Sequence, residues 1–356
     1  ALDNPGLHLL PWKGILDEHH KGSFVCCDSC DAFSSKCDVF NIEDECFVLS
    51  EFSFSAHNAK VMPVSRYIRS MMQSHKLFFG IGIQLFVMLS AFNPMNGHAQ
   101  QSSETSVCTF NVRYDNPSDT LKWHERRDEV ANAVRYFDVV ALQEVLPNQY
   151  EDLQKRLGQH DSFGRGRDAD GNGEATPIFW NRERYDFLRG EVKWLSTDPS
   201  EKGSIGWDAD LPRLVTIVVL FDRKNQKTVR VLNGHWSHVG EWSRKGSAAL
   251  MAGWSGLGTD DLTLVCGDFN AEPDAPEIKD LMAMGDLQDT YASAKYRCRK
   301  EFGTYSSFLT EAIAGAKRID YILYRGDVEV DWACADEHIK FGLYISDHLP
   351  YQAVFK

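Results

Sequence analysis

The sequence predicts an α/β protein in which two mixed β-sheets pack face to face and helices cover their outer surfaces. Three observations predict this class. Short apolar and β-branched runs outnumber helical patterns from residue 107 onward. Polar residues that could act in chemistry directly follow several of these runs. The composition, with 43% hydrophobic and 25% charged residues in 356, is globular and supplies ample material for a core.

Each predicted strand is an apolar or β-branched run of four to eight residues. In chain order, these runs are 107–112, 138–142, 176–180, 214–221, 228–232, 262–265, 318–324, 328–333 and 351–355. A turn at Asn225 pairs the fourth run with the fifth. Helices are predicted where apolar residues recur at helical spacing or where Pro147 and Pro276 suit a first turn. They cover 126–136, 147–157, 248–257 and a segment that starts after Asp274.

Residues 1–70 show no clear helix or strand period. Five cysteines fall in one short window, at Cys26, Cys27, Cys30, Cys37 and Cys46. Their spacing matches no standard zinc motif, so a zinc site is the less favoured interpretation. This segment is interpreted as an uncertain N-terminal extension. An artefact of gene calling is the alternative, because the chain starts without methionine and later starts exist at Met71 and Met72.

Residues 71–99 have the outline of a secretory signal peptide. A lightly basic start precedes an apolar stretch at 77–92, which is short for a membrane span. Small residues at Gly97 and Ala99 then precede a polar segment at 100–106, which is predicted to be a linker. The expected location is secreted or extracytoplasmic. An uncleaved membrane anchor at 77–92 and a buried helix are the alternatives.

The net charge of −13 and the sequence pI of about 5.4 exclude the basic footprint of indiscriminate nucleic-acid binding. The segment 266–273 gives the first chemical signal. Asp268 and Asn270 follow a buried strand, and residues two apart in an extended chain point the same way. Phe269 should therefore turn into the core. A carboxylate beside a carboxamide suits holding and activating water, although an isolated pair of this kind is more often a capped turn.

Five further polar sites at predicted strands accompany this segment, and a set of this size is not expected by chance. Each is a polar residue at or beside a predicted strand, and most of them at its end. The residues are Asn111, Glu144, His235, Asp320 and the pair Asp347-His348. A lone residue of any of these types is more often structural than functional, but the set in this order is not expected from packing alone.

Together these motifs resemble the endonuclease/exonuclease/phosphatase superfamily, which includes deoxyribonuclease I, abasic-site endonucleases, deadenylases and inositol-polyphosphate phosphatases. The resemblance covers residues 107–356, and its most specific signatures are 267–270 and 346–350. Segments 109–116 and 205–209 and the pair Pro212-Arg213 look like a less characterised branch found in secreted or periplasmic proteins of bacteria and fungi. The resemblance implies a catalytic domain at 107–356 with a four-layered, deoxyribonuclease I-like α/β sandwich.

The resemblance also implies metal and histidine roles. Glu144 would bind a divalent metal, with Asn111 and Asp347 close to it, and oxygen ligands suit Mg²⁺ or Mn²⁺. His348 would be the general base or a phosphate-stabilising imidazole. Asp320 would fix the tautomer of His348.

Further roles concern water and phosphate. Asp268 would position or deprotonate the attacking water, and Asn270 would hold a nonbridging phosphate oxygen. His235 would bind the phosphate or assist the leaving oxygen, and Glu174 would orient His235. The reaction implied is in-line attack of water on phosphorus.

Two arginines are candidates for phosphate contact, because guanidinium groups match phosphate oxygens. For both Arg113 and Arg213, a structural ion pair is equally expected. The sequence departs from the branch at Gly234 and Ser237, where a β-branched residue and an acid are usual, and His238 is an additional imidazole. For Trp236, core packing is favoured over stacking on a substrate.

The leading functional hypothesis is a divalent-metal-dependent phosphodiesterase. A phosphomonoesterase that acts on a sugar, inositol or lipid headgroup phosphate is the first alternative, and a catalytically silent binding module on the same fold is the second. The expected partner is a phosphate-ester substrate, either a small molecule or a nucleic acid. No stable protein partner is expected, and the chain is expected to be a monomer. Nothing in the sequence selects a disulfide among Cys108, Cys266, Cys298 and Cys334.

Overall fold

The structure is a computed structural model that describes residues 39–42, 45–48, 104–298, 303–310 and 317–356. The chain forms two compact units, 1–93 and 94–356. In the first unit, strands β1 (Val39–Ile42) and β2 (Glu45–Val48) pair as an antiparallel hairpin. The signal peptide or anchor expected at 71–99 lies outside the described residues, as do four of the N-terminal cysteines (Cys26, Cys27, Cys30 and Cys37). Among the helices described, none has the length and apolar character needed to span a membrane.

The second unit contains two large β-sheets, as the sequence predicted. Its strands are β3 (Thr105–Asn111), β4 (Val139–Gln143), β5 (His160–Phe163), β6 (Ile178–Asn181), β7 (Tyr185–Trp194), β8 (Leu214–Asp222), β9 (Lys227–His235), β10 (Leu262–Asp268), β11 (Gln288–Asp289), β12 (Tyr296–Arg297), β13 (Asp320–Gly326), β14 (Val330–Ala335), β15 (Ile339–Lys340), β16 (Leu343–Tyr344) and β17 (Tyr351–Phe355). One sheet has the order β12-β14-β17-β3-β4-β6-β5, and the other has the order β11-β13-β10-β9-β8-β7. Strands β15 and β16 form a small separate ribbon.

Helices flank both sheets. They are α1 (Trp123–Val134), α2 (Pro147–Arg156), α3 (Glu241–Ser255), α4 (Pro276–Gly285) and the short α5 (Thr290–Ser293). Val130 of α1 and Leu153 of α2 pack in one apolar cluster against the seven-stranded sheet. Met251 of α3 and Ile278 of α4 pack in another against the six-stranded sheet. The two inner sheets and two outer helical layers are the predicted four-layered sandwich.

The central core lies between the sheets. Val107 and Ala141 of the seven-stranded sheet share one buried cluster with Val218, Val231 and Leu264 of the six-stranded sheet. These strands are buried on both faces, which explains their nearly continuous apolar sequences. Burial of apolar surface stabilises a fold by roughly 25 cal/mol per Å², so this interface contributes to the stability of the sandwich.

The central strands bring the predicted site residues to one edge of the sandwich. Strand β3 is parallel to β4, and β9 is parallel to β10, so the ends of neighbouring strands lie together. Asn111 ends β3, His235 ends β9 and Asp268 ends β10. Strand β13 runs the other way, and its first residue, Asp320, pairs in register with Asp268. Gln143 Nε2 donates to Asn233 Oδ1 at 2.7 Å and joins the two sheets directly below this edge.

Several boundaries differ from the predictions. Strand β3 starts at Thr105, inside the segment predicted to be a linker, because Thr105 and Ser106 pair with β17. Strand β7 was not predicted, since a bulge between Phe187 and Arg189 breaks its alternation and most of its residues are exposed or half-buried. Helix α3 begins at Glu241 rather than at 248. The cap of this helix comes from another segment of the chain. The carboxylate of Asp208 accepts the backbone N–H groups of residues 242 and 243 in the first turn.

A disulfide joins Cys298 to Cys334, a pairing that the sequence did not select. Their Cα atoms are 5.1 Å apart, and the bond ties the chain after β12 to β14. Cys108 and Cys266 are buried free thiols in the two central sheets, as expected from their apolar strands.

Candidate active site

A cavity of about 760 Å³ opens where the ends of the central strands meet. Nearly all the residues singled out by sequence line it: Arg113, Glu144, Glu174, Arg213, His235, Asp268, Asn270, Asp347 and His348. Asn111 and Asp320 are fully buried and hydrogen-bond to residues of this wall. Side chains from both sheets therefore form one pocket.

Asp268 lies at the centre of this group. Its Oδ2 atom accepts a hydrogen bond from Asn111 Nδ2 at 3.0 Å and lies 3.6 Å from Nε2 of both His235 and His348. Its Oδ1 atom accepts the backbone N–H of Asn270 at 3.0 Å. Asn270 has a positive φ of 48°, which turns the chain so that this N–H points back at the carboxylate.

The carboxyl of Asp268 is poised to exchange a proton near neutral pH. Burial raises its pKa to about 7, the positive charge of His348 opposes this shift, and the charge of Asp320 adds to it. The two oxygens thus belong to a group that can take a proton from a bound water at neutral pH.

His348 and Asp320 form a buried acid–histidine pair. The Nδ1–H group of His348 donates to Asp320 Oδ2 at 2.8 Å, which leaves Nε2 facing Asp268. Burial alone would lower the pKa of His348, but the charges of Asp320 and Asp268 outweigh it and raise the pKa well above its usual value. The two neighbouring carboxylates therefore favour the protonated form of His348.

The pKa of His235 is shifted in the opposite direction to that of His348. Burial lowers its pKa well below the usual value, and the positive charges of Arg213 and Arg167 lower it further. The pKa values of two imidazoles beside the same carboxylate are thus shifted in opposite directions, the pattern from which acid and base roles are assigned.

Glu174 lies beside His235 without hydrogen-bonding to it. Its Oε2 atom accepts from Arg167 Nη1 at 2.8 Å and is 3.9 Å from His235 Nδ1. Burial raises the pKa of Glu174, and the charge of Glu144 adds to this shift. The role of Arg167 was not predictable from the sequence, because Arg167 lies in a loop rich in glycine and acidic residues with no period to mark it.

A second acidic group, Glu144 and Asp347, also lines the cavity. Glu144 has a φ of 59°, and its carboxylate accepts from Asn111 Nδ2 at 3.0 Å and from the backbone N–H of Tyr114 at 3.1 Å. Burial raises the pKa of Asp347, and the charge of Glu144 contributes to the rise. The positive charges of His348 and Arg113 oppose this rise.

Arg113 is held mainly in a structural ion pair. Its Nε and Nη2 atoms donate to the two oxygens of Asp119, each at 3.1 Å, while Nη1 is 3.5 Å from Asp347 Oδ2. Of the two equally expected roles, the ion pair is thus present. The guanidinium still lines the cavity and positions Asp347.

Arg213 is different, because much of its guanidinium has no partner. The residue is only 5% exposed, and Nη2 donates to Nδ1 of His238 at 3.1 Å. Its Nε and Nη1 atoms have no hydrogen-bond partner in the part of the chain that the structure describes. Arg213 lines the cavity, but its Nε and Nη1 atoms are themselves buried, so a water molecule or an anionic ligand must reach them to satisfy these donors.

Oxygen atoms suited to a divalent cation are present at the wall of Glu144 and Asp347. The carboxylates of Glu144 and Asp347 match the hard-oxygen preference of Mg²⁺ and Mn²⁺, while the nearby Asn111 directs its amide nitrogen at Glu144 and accepts the N–H of Arg113 with its oxygen. A second group, Asp268, Asp320 and His348, also has ligand atoms within 4.8 Å of one another. There, the bond between His348 Nδ1 and Asp320 Oδ2 uses one atom of each residue, while Asp320 Oδ1 has no hydrogen-bond partner among the described residues.

Arg126, on the buried face of α1, was also missed by sequence analysis. Its guanidinium is fully buried and donates to the carbonyl oxygens of Val112, Arg113 and Ile345. Burial lowers its pKa to about 10. It fixes the two loops that carry Arg113 and Asp347, and an arginine among apolar helical positions was the only available signal.

The aromatic candidate Trp236 is a core residue, as favoured by sequence. It is fully buried and stacks on Phe269 with ring centroids 4.4 Å apart. Gly234 lies beside helix α3, where an added Cβ would be 2.9 Å from Met251 Sδ. The departure from the branch at this position therefore accommodates a packing contact.

Comparison with known proteins identifies a family for this chain. A profile described as the Endonuclease/Exonuclease/phosphatase family matches residues 108–348. An endonuclease/exonuclease/phosphatase from Bacteroides vulgatus is 31% identical, with a TM-score of 0.67 over 71% of this chain and 99% of that chain. A mannosyl-6-phosphatase from Bacteroides thetaiotaomicron is 27% identical, with a TM-score of 0.65 over 71% of this chain and 99% of that chain.

More distant proteins share the fold alone. TDP2 from D. rerio, complexed with a single-strand DNA product, is 20% identical, with a TM-score of 0.57 over 71% of this chain and 99% of that chain. No curated protein matches this sequence. The deoxyribonuclease I-like sandwich is thus confirmed by structures and by a profile that spans more than half of the sequence. The chain therefore belongs to the endonuclease/exonuclease/phosphatase family and is a hydrolase of phosphoester bonds.

Proposed function

We propose that this phosphoesterase depends on a divalent metal and hydrolyses a small phosphomonoester by in-line attack of water. One observation carries the proposal: Asp268 contacts two histidines of opposite charge tendency inside a cavity that also holds free arginine donors. Positioning and charge neutralisation are the main requirements of phosphoryl transfer, and this cavity offers both.

In the proposed reaction, Asp268 holds the attacking water and takes its proton. The imidazolium of His348, oriented by Asp320, stabilises a phosphate oxygen and supplies a proton to the departing alcohol oxygen. The neutral His235 and the amide of Asn270 hold the phosphate on its other sides. The water oxygen forms a bond to phosphorus while the bond from phosphorus to the alcohol oxygen breaks.

Glu144 and Asp347, with Asn111 beside them, would hold the metal. A bound Mg²⁺ or Mn²⁺ supplies neutralisation of phosphate charge and polarisation of the scissile group. Neighbouring arginines position these ligands. Arg113 orients Asp347, and Arg126 fixes the two loops that carry Arg113 and Asp347.

Three observations favour a monoester over the diester that the sequence alone favoured. The free donors of Arg213 suit the additional negative charge of a monoester dianion. The cavity of about 760 Å³ matches a small-molecule ligand. A relative at 27% identity is a mannosyl-6-phosphatase, and a phosphorylated sugar fits the same volume.

A phosphodiester is the second candidate. Tyr305 and Leu211 line the cavity and are 37% and 41% exposed, respectively. They offer apolar surface that a second ester substituent could cover.

An activity assay on the full chain separates the candidates. Purified protein is incubated with p-nitrophenyl phosphate, mannose 6-phosphate or bis(p-nitrophenyl) phosphate, with Mg²⁺, Mn²⁺ or EDTA. We expect turnover of the monoesters that EDTA, Asp268→Asn and His348→Gln each abolish. Turnover of the diester alone would overturn the monoester assignment, and no turnover of any substrate would favour the binding module.

A further inference from the structure

Thr304 forms hydrogen bonds with the backbone at Asp320 and with the backbone next to His348. Its hydroxyl oxygen accepts the backbone N–H groups of Ile319 and Asp320, each at 3.0 Å. Its carbonyl oxygen accepts the N–H of Leu349, the residue after His348, at 2.7 Å. One residue thus contacts the backbone at Asp320 and the backbone next to His348.

The next three residues, 305–307, contact Asp347 and His348. Backbone N–H groups of Ser306 and Ser307 both donate to the carbonyl of Asp347, at 2.7 and 3.1 Å. The ring of Tyr305 lies edge-on against His348, with centroids 5.2 Å apart. Residues 304–307 therefore hold the chain over Asp347 and His348 together.

The hydroxyl of Thr304 has no evident substitute. The residue is 1% exposed, so water cannot readily replace the acceptor if the hydroxyl is removed. Two backbone donors at the start of β13 would then be buried without partners. Asp320 is the first residue of that strand, so an adjustment that satisfies these donors moves the carboxylate that orients His348.

We propose that Thr304 is a positioning residue that fixes the geometry of the Asp320–His348 pair. This inference rests on the proposed function, since it assigns a role within the same site. Thr304 does not line the cavity, and it acts through Asp320 and His348. Loss of its hydroxyl should therefore lower kcat and leave KM nearly unchanged.

Three variants of the full chain test the proposal. Thr304→Val removes the acceptor at constant shape, and Thr304→Ser retains it. Thr290→Val is the matched control, because Thr290 is equally buried and its hydroxyl bonds to Ile322 on the same strand, at 2.7 Å, outside the cavity. Thermal unfolding and steady-state kinetics with p-nitrophenyl phosphate are measured for each variant.

We expect Thr304→Val to lower kcat by roughly tenfold or more with KM changed less than about twofold, as small misplacements of catalytic groups do. Thr304→Ser should restore kcat to within about threefold of wild type. Thr290→Val should lose thermal stability but not kcat. Equal kcat losses in the two valine variants, or none in Thr304→Val, would overturn the proposal.

A spectroscopic readout separates this inference from the proposed function. The Nδ1–H proton of His348, bonded to Asp320, should give a downfield NMR resonance that is absent in His348→Gln. We expect that resonance to shift or disappear in Thr304→Val and to persist in Thr304→Ser and Thr290→Val. An unchanged resonance in Thr304→Val contradicts the positioning role even if wild-type protein hydrolyses none of the substrates.

Discussion

Asn111 Nδ2 donates a hydrogen bond to Asp268 Oδ2 at 3.0 Å, although the residues are 157 positions apart and belong to different sheets. The same nitrogen donates to Glu144 Oε1 at 3.0 Å. One amide therefore links the acidic wall proposed to hold metal with the carboxylate proposed to activate water. The contact depends on an amide, because two acceptor-only carboxylates flank this nitrogen.

Asn111→Asp should destabilise the protein in EDTA at pH 8, where the Asp268 carboxyl, with a pKa of about 7, is mostly ionised, since a third carboxylate would then face those of Glu144 and Asp268. We expect the free energy of unfolding to fall by about 1–3 kcal/mol, with Mg²⁺ recovering part of the loss. Urea unfolding with and without Mg²⁺ measures both effects. An Asn111→Asp protein as stable as wild type in EDTA would contradict the proposed crowding of negative charge.

Asp268→Asn should inactivate the enzyme without destabilising it at pH 8. Burial raises the pKa of Asp268 to about 7 in the folded protein, against roughly 3.9 in an unfolded chain. The folded state thus binds this proton more tightly, so the contribution of the group to stability is full below about pH 4 and is lost as pH rises through about 7. Asparagine at position 268 binds no proton in this range, so the variant lacks this contribution to the pH dependence of stability.

The measurement is the thermal midpoint in EDTA from pH 5 to pH 8, for wild type and Asp268→Asn. We expect the midpoint of the variant, relative to wild type, to rise with pH, while turnover falls by about 10²–10³-fold. A variant that loses stability at pH 8 relative to pH 5, compared with wild type, would argue against a raised pKa of this carboxyl.

Arg213→Met should weaken phosphate binding. Its Nε and Nη1 donors lack partners in the described part of the chain, and an anionic ligand is the natural acceptor. We expect KM for p-nitrophenyl phosphate and the inhibition constant of inorganic phosphate to rise by about 10–100-fold, the loss of one or two charge-assisted hydrogen bonds.

Arg230→Met is the matched control for this prediction. Arg230 is equally buried on β9 but pairs with Asp260, at 2.7 Å. This variant should lose stability and keep its KM. If Arg213→Met keeps wild-type phosphate inhibition, the guanidinium is structural and the argument for a monoester loses its main support.

Most of the fold could be predicted because its signals are local. The central strands are continuous apolar runs, and Asp268, His235 and Asn111 end three of them, so the shared edge followed from topology. Strand β7 was missed because its bulge and exposed faces leave no period.

The unpredicted parts of the site depend on long-range contacts. Arg167 lies in a loop, and only the folded chain brings its guanidinium to Glu174. Thr304 contacts Asp320 and Leu349 across a gap in sequence that no spacing rule covers. The pairing of Cys298 with Cys334 likewise depends on β12 and β14 being neighbours.

Reduction of the Cys298–Cys334 disulfide should destabilise the catalytic unit. The bond closes a loop with a sequence separation of 36, for which chain entropy predicts a stabilisation of about 3–4 kcal/mol. Urea unfolding with and without reductant, and of the double variant Cys298→Ser/Cys334→Ser, measures it. Identical midpoints for all three samples would show that the bond does not contribute.

The disulfide also supports the proposal that the protein is secreted or extracytoplasmic, where such bonds persist. The segment expected to direct secretion, 71–99, lies outside the described residues. N-terminal sequencing of secreted protein tests the proposal, and a start near Gln100 is expected. Retention of the full chain inside the cell would contradict it.

The central claim is that metal and phosphate bind in one cavity. Its most direct test is a crystal structure of the protein with Mn²⁺ and inorganic phosphate, in which anomalous diffraction locates the Mn²⁺. We expect the Mn²⁺ peak beside the carboxylates of Glu144 and Asp347, with phosphate in the same cavity in contact with His235 and Arg213. A Mn²⁺ peak between Asp320 and His348, or phosphate bound outside the cavity, would contradict the account.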